Sequence, residues 1–536
     1  MSSNRVPLDG VLSPDECRII DAYSSENQGE DALPGIAEFI RMNFSVKIDV
    51  DPDIIEAYKT DSSNLPGNAS ALARPSNERE CALILRMCRS SRIPVTLSAG
   101  RSNLTGSATP PEGMLVSLSE MKIPGVRVDP ITKTVVSPVG IIFEDMRKSV
   151  LEQSEGKLFF PVDPTSRFDA MVGGAIACNA SGFTPGETGA MRSWVRSLRF
   201  LLMNGMGITA GRGQYVAEDG MFLFTHGSDE IPVPVPRYSR PSIKNASGPY
   251  SNPHGSVDLV DLIIGSEGIF ALVTGCTLAL SDHPREYLDL FLSLPDESDA
   301  LKLLFYLSGS LPDRFSSLSA FEYFGPNCRR YMDHEHRLFR TDHAVGVYIQ
   351  IPLRDEPLEQ SAQEWLEILQ DAPCRIREDA IMILLTDRDR TIFFEARHSL
   401  PARSLEVVTR RGTHTIMTDT VVPLMRFAEF LEYTHALIRS EGLDYLVFGH
   451  LGDCHLHFMI LPEKDQLRRG VDVYDRIIEK SSALGGVYSG EHGTGKRKRG
   501  DFLKCYGAQA AEQVLATKRA FDPLLLLNRG NVIAYP

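Results

Sequence analysis

The stretch VFGHLGDCHLHFMI (447–460) reads as two short β-strands joined at Gly452-Asp453, a turn-forming pair. On the outgoing strand, period-2 alternation puts His455, His457 and Met459 on one face. Cys454, Leu456, Phe458 and Ile460 take the other face, which is apolar and belongs to a core. His450 ends the incoming strand, so His450 and His457 are placed to converge across the turn. Three of the chain's thirteen histidines thus fall within eight residues. A lone strand histidine is usually just hydrogen-bonded. This grouping, with a Glu-His pair downstream, instead favours a site of two histidines and one carboxylate with open positions for a substrate. Glu491 is the carboxylate candidate, and Cys454, pointing away, is read as a small buried residue.

That acid lies in GGVYSGEHGTGKRKRG (485–500), where Gly490 to Lys496 spells G-x-x-x-x-G-K. A phosphate loop needs Ser or Thr after the lysine to hold magnesium, and Arg497 stands there instead. Glu491 and His492 also occupy the cradle, so the phosphate-loop reading is set aside. The run Lys496, Arg497, Lys498, Arg499 is expected to be solvated charge.

Around this site the pattern is mixed. Strands are expected at 287–294, 345–352, 415–422, 444–449 and 455–461, and helices at 298–309, 359–371, 424–440 and 470–484. They form an α+β unit set off from the first half by a Gly/Pro-containing stretch at 281–286. In the first half, 76–98 reads as a helix capped by Ser76 and then a strand. The segment 198–209 reads as a hairpin turned at Asn204-Gly205, and 257–280 as two β-rich runs.

The chain has 536 residues, enough for two or three domains, with 43% hydrophobic and 24% charged residues. A net charge of −14 argues against nucleic-acid or anionic-membrane binding. Nine unclustered cysteines exclude a C-x-x-C zinc or iron–sulfur framework and suit a reducing compartment. No run is long and apolar enough to span a bilayer, and the start MSSNRVPLDGVLSPDE resembles neither a signal nor a transit peptide. A cytoplasmic location is expected, peripheral to a membrane only through a partner.

Three first-half segments are rich in small residues that let backbone approach a ligand: PVTLSAGRSNLTGSATP (94–110), PVDPTSRFDAMVGGAIACNASGFTPGETGAMRS (161–193) and LIIGSEGIF (262–270). None is a strand–GxGxxG–helix unit, which disfavours a Rossmann nicotinamide site. In order, GRSNLTGSA, PVDPTS…VGGAIACNASG, IIGSEG, FGHLGDCHLH, GEHGTGKRKR and LLNRGNVI resemble the FAD-dependent D-2-hydroxy-acid dehydrogenases, flavoproteins of the vanillyl-alcohol-oxidase (PCMH) type. The family includes the glycolate oxidase FAD subunit, D-lactate dehydrogenases and D-2-hydroxyglutarate dehydrogenase.

The resemblance implies an α+β chain with a two-subdomain FAD-binding domain within 1–284 and a ferredoxin-like substrate cap within 285–500. The segment 501–536 would return to the FAD domain. It places Gly100, Arg101, Ser102, Asn103, Leu104, Thr105 and Gly106 at the pyrophosphate. Pro161, Asp163, Gly173, Gly174, Asn179, Gly182, Glu267, Gly268 and Asn528 fall on the other flavin motifs. His450, His457 and Glu491 match ligands of a divalent metal, commonly zinc; His492 matches the base and Arg397 the substrate-carboxylate arginine. The implied reaction is oxidation of a D-2-hydroxy acid to the 2-oxo acid by hydride transfer to flavin N5.

Departures sharpen this. Ser98-Ala99-Gly100-Arg101-Ser102-Asn103 replaces R-G-G-G-T-G, so Arg101 either pairs with a phosphate or obstructs it. His455 stands where the family has Asn and faces the pocket. Met417 and Met459 replace Lys and Asn of diacid-using members, which favours a monocarboxylate such as glycolate or D-lactate. The loop lacks a flavin-linking histidine, so FAD is expected to be non-covalent. Quinone, electron-transfer flavoprotein, iron–sulfur partner or oxygen all remain as electron acceptor, and a homodimer is compatible. The alternatives are an altered flavoprotein serving as an electron-transfer or assembly subunit, and an ether-lipid synthase-like enzyme.

Overall fold

The computed structural model describes residues 3–340 and 344–535 and shows a mixed α+β architecture. In the first half, three parallel strands, Ala71–Ala73, Met114–Ser117 and Val95–Ser98, form a sheet with Ile48–Asp49 at its edge. The amphipathic helix Glu78–Ser90 connects two of these strands and buries Cys81, Ile84, Leu85 and Cys88. Its N-cap is Asn77 rather than Ser76: the extended Asn77 accepts from Glu80 N, while Ser76 bonds the Glu80 carboxylate.

A second, six-stranded antiparallel sheet is ordered Asp9–Gly10, Met206–Gly211, Val195–Leu201, Leu272–Ala279, Thr134–Pro138, Arg127–Asp129. Its hairpin turns at Gly205 with φ +79°, as its sequence requires. The first run of 257–280 is not a strand. Asp258 caps the backbone of Val260 and starts a short helix, Leu259–Ile263, buried on nearly every side; such a run does not reveal its period.

The second half is one seven-stranded sheet in the order Ile381–Ile383, Glu286–Leu294, Val345–Leu353, Ala320–Phe324, Tyr445–His450, His455–Ile460, Ile416–Met417. The run 415–422 pairs as a strand only at Ile416–Met417; beyond it, bridges at Asp419 and Val421 tie it to 487–489 and His455. Leu456, Phe458 and Ile460 pack under the helices Phe427–Ser440 and Leu467–Ala483, whereas Met459 lies on the opposite face with Phe448 and Phe393. That opposite face is covered by Asp387–Arg410, a helix that contains Pro401 and lacks clear apolar periodicity. After the long segment Arg499–Phe521 the chain returns to the first sheet, where Asn528 N donates to Val95 O at 2.7 Å. No helix of the described residues is long and apolar enough to cross a membrane.

Candidate functional site

A glycine-lined cavity of about 420 Å³ is bordered by residues 97–104, 169–171, 173–175, 266–268, Ser181 and Asn528, with Glu491 and His492 also in its lining. Its walls are short because side chains would collide: a Cβ on Gly100 would lie 2.1 Å from Asp169 O, and one on Gly174 3.1 Å from the Ala99 Cβ. Asn103 Oδ1 accepts from Ser107 N at 3.0 Å and shapes the loop. Ser98 Oγ is buried on this wall without a partner among the described residues. A polar, phosphate-bearing ligand fits such a cradle, and Gly100, Ser102, Asn103, Leu104, Gly173, Gly174 and Gly268 are positioned to hold it.

Arg101 has φ +58°, and its guanidinium turns aside to Ala57 O and the face of Tyr58, 4.7 Å from the ring centre. Thr105, Gly106, Asn179 and Gly182 stand behind the cavity. Thr105 O accepts from Lys496 N and Arg497 N, and Asn179 Oδ1 accepts from Arg192 N. A Cβ on Gly182 would strike Asp163 O. Pro161 and Asp163 line a second cavity. Asn528 receives Leu97 N and donates to Glu267 O, both at 2.7 Å. Glu267 is buried and accepts from Thr494 N and Gly495 N at 2.7 Å; burial outweighs these donors and pushes its carboxyl up to about 7. The G-x-x-x-x-G-K backbone is therefore already occupied by Glu267 and Thr105.

Beyond Glu491 the three histidines close on one point. His450 faces His455 directly across the hairpin and His457 faces Phe448, so alternation sets all three rings toward the cavity side. One ligand atom from each of His450, His455, His457 and Glu491 lies within 4.8 Å of the others. His450 Nε2 is 3.1 Å and His457 Nε2 4.0 Å from the Glu491 carboxylate. His455 Nδ1 is buried without a partner among the described residues, an unspent donor atom in a set that suits a divalent cation.

Two buried carboxylates flank this group. Glu322 accepts from His450 Nδ1 at 2.5 Å and from Arg397 Nη2 at 2.9 Å. Asp419 lies 2.9 Å from His455 Nε2, 3.2 Å from His492 Nδ1 and 2.8 Å from Lys498 Nζ, and also accepts from the backbone of Glu491 and His492. Burial opposes charge on every member, and pairing decides which stay ionised. Glu322, beside His450 and Arg397, is held down to about 2, and His450 is carried up to about 9 by Glu322. Asp419 is held well below the carboxylate range by His492 and Lys498, and Glu491 by Lys244 and His450. Burial keeps His455 and, more strongly, His457 neutral, so their lone pairs are available.

Lys244 is a further member: its buried ammonium sits 2.6 Å from Glu491 and 3.1 Å from Asp453, which keep it charged against burial. Glu322, Asp419 and Lys244 were not singled out in the sequence, and Lys498 was read only as part of a solvated run. Only Glu322 left a local trace, as a lone acid in the apolar strand AFEYF. The KRKR run is not a solvated patch. Lys498 is buried against Asp419, Lys496 bonds Asn531 Oδ1 at 2.7 Å, and Arg497 bonds Ser63 O at 2.7 Å. Met417 and Met459 pair across their strands and pack on the cluster around Phe393, and His455 is fully buried; none of the three lines either cavity. Arg397 is buried over the ring of Phe183, 4.1 Å from its centre, and lines the second cavity rather than the first.

Residues 69–211 match an FAD binding domain, and residues 328–532 match the C-terminal domain of FAD linked oxidases. The chain is 25% identical to a D-lactate dehydrogenase of Anaerostipes hadrus over 526 residues, 95% of this chain and 99% of the relative. It is 26% identical to the glycolate oxidase subunit GlcD of Bacillus subtilis, covering 87% and 89% of the two chains. Among solved structures, 4-ethylphenol oxidase from Gulosibacter chungangensis superposes with a TM-score of 0.64 at 17% identity, covering 98% of each chain. The fold is thus the FAD-binding fold of the vanillyl-alcohol-oxidase type.

Proposed function

On the premise that this chain belongs to the FAD-linked oxidases, whose two domains it carries, we propose that it oxidises a D-2-hydroxy acid to the 2-oxo acid. The observation that carries the reading is the gathering of His450, His455, His457 and Glu491 beside a cavity that Glu491 and His492 themselves line. Relatives named for D-lactate and glycolate oxidation, matched over nearly the whole chain, support the substrate class.

Bound FAD supplies the two-electron acceptor. Gly100, Ser102, Asn103, Gly173, Gly174 and Gly268 would hold it non-covalently. His450, His457 and Glu491, joined by His455, would hold a divalent ion such as zinc, whose charge acidifies a nearby hydroxyl. In the reaction the acid loses its C2 hydrogen with the bonding pair, and its hydroxyl proton leaves separately. His492 takes that proton: Asp419 holds its Nδ1 side, which leaves the other ring nitrogen for the cavity the residue lines. Arg397 spends Nε and Nη2 on Glu322 and offers Nη1 to the substrate carboxylate. Glu322 links that contact to His450, so acid binding and ion binding share one support.

Anaerobic titration of the flavin-loaded protein tests the reading. Bleaching by a D-2-hydroxy acid but not by its L-isomer is expected, and full turnover after exhaustive chelation would remove the metal from the account.

A further inference from the structure

A second cavity, of about 590 Å³, opens on the other side of Phe183 from the histidines. The Phe183 ring packs edge-on against His450 with centres 5.8 Å apart, and its face carries the Arg397 guanidinium. Phe183 and Arg397 are therefore both the inner wall of this cavity and the border of the ion-binding group. A substrate whose carboxylate meets Arg397 and whose hydroxyl meets the histidines directs its remaining substituent here.

The lining says what substituent that is. Both tryptophans of the chain, Trp194 and Trp365, face this space, with Tyr287, Phe159, Phe393 and Phe394. Most of its arginines already have carboxylate partners: Arg147 and Arg167 share Glu144 and Asp163, and Arg314 pairs with Glu364 at 3.0 Å, whereas Arg354 stands 3.8 Å from Asp282, which Lys133 holds at 2.7 Å. A second anionic group would compete with these carboxylates for the arginines and would meet Asp163 and Glu356. Trp365 adds a separate observation. It is buried, and its indole N–H, enclosed with it, has no partner among the described residues.

Resting on the reading above, we infer that the preferred substrate is a D-2-hydroxy acid with an aryl side chain, seated between Phe183 and Trp365. A methyl group leaves this volume to water, whereas a ring buries against aromatic faces. Burial of a group that size is worth about ten- to a hundredfold in kcat/KM.

The test compares flavin reduction by glycolate, D-lactate, D-3-phenyllactate and D-3-(4-hydroxyphenyl)lactate. The aryl acids should exceed D-lactate at least tenfold in kcat/KM. Ser319→Trp, which fills the cavity from a half-buried position, should lower that preference at least tenfold; Phe394→Ala, also half-buried, should lower it less. D-lactate equal to or better than the aryl acids overturns the inference and leaves the proposed reaction standing. Reduction by none of the acids overturns that reaction and this inference with it. An unchanged acid preference in Ser319→Trp, with slowed reoxidation by a soluble quinone, would make the cavity the electron-acceptor site and overturn the inference.

Discussion

Around the first cavity, two walls offer a ligand different chemistry. Residues 97–104 and 169–175 present backbone and small side chains, kept small by contacts such as Gly100 against Asp169 O. Another part of the lining presents Glu491 and His492, backed by a charge network of Asp419, Glu322, Lys244, Lys498 and Arg397. The first wall binds by shape and N–H groups that most side-chain changes leave in place. The second is a set of mutually dependent charges, each expensive to bury without its neighbour. Damage on the two sides should therefore look different: lost cofactor on one, lost chemistry with cofactor retained on the other.

The sharpest break is expected at Glu491. Glu491→Gln removes the anion that Lys244 and His450 both face, so bound metal and turnover should be lost together while the flavin spectrum stays. Loss of flavin as well would show that the two walls are not separable. His492→Asn should slow flavin reduction in single turnover by about 100-fold or more. Unchanged reduction there would assign the proton to another group. Asp419→Asn weakens the hold on His492, His455 and Lys498, and should cost about 10- to 100-fold in kcat with little change in flavin content.

On the other wall, Gly174→Val adds branches toward Ala99 and should weaken flavin binding about tenfold, read as the dissociation constant in an equilibrium titration. An effect of similar size belongs to Glu267, which touches both groups of residues. Its native carboxyl titrates near 7 against an ordinary 4.5, so between those values the folded state keeps a proton that the unfolded chain has lost. Stability then falls as pH rises through that window. Glu267→Gln should flatten the slope in denaturant melts and cost about 1–3 kcal/mol, because one of two buried N–H donors loses its acceptor.

The same contrast explains what could be read beforehand. The small-residue wall is written locally, since each glycine's reason lies in its own turn or close approach, and its segments keep their order along the chain. The charge network is not local. His492 donates its backbone N–H to Asp419 across 73 positions, His450 meets Glu322 across 128, and Lys244 meets Glu491 across 247. KRKR misled for that reason: a basic run looks solvated until Asp419 and Asn531 are seen beside it. The helix Asp387–Arg410 was missed because Pro401 and its mixed faces hide the helical period, and the short helix at 259–263 because burial on all sides erases it.

What the sequence alone settled is the alternation that sends His455 and His457 to one face and Leu456 and Phe458 to the core, since a strand's side-chain period follows from its covalent geometry. The order of small-residue segments, and through it the class of fold, was equally legible. Which charges would sit together was decided only by the folded chain. A buried ammonium or carboxylate is tolerated where an opposite charge stands within a few ångströms, and that distance is set by sheet register and domain packing rather than by neighbours along the chain.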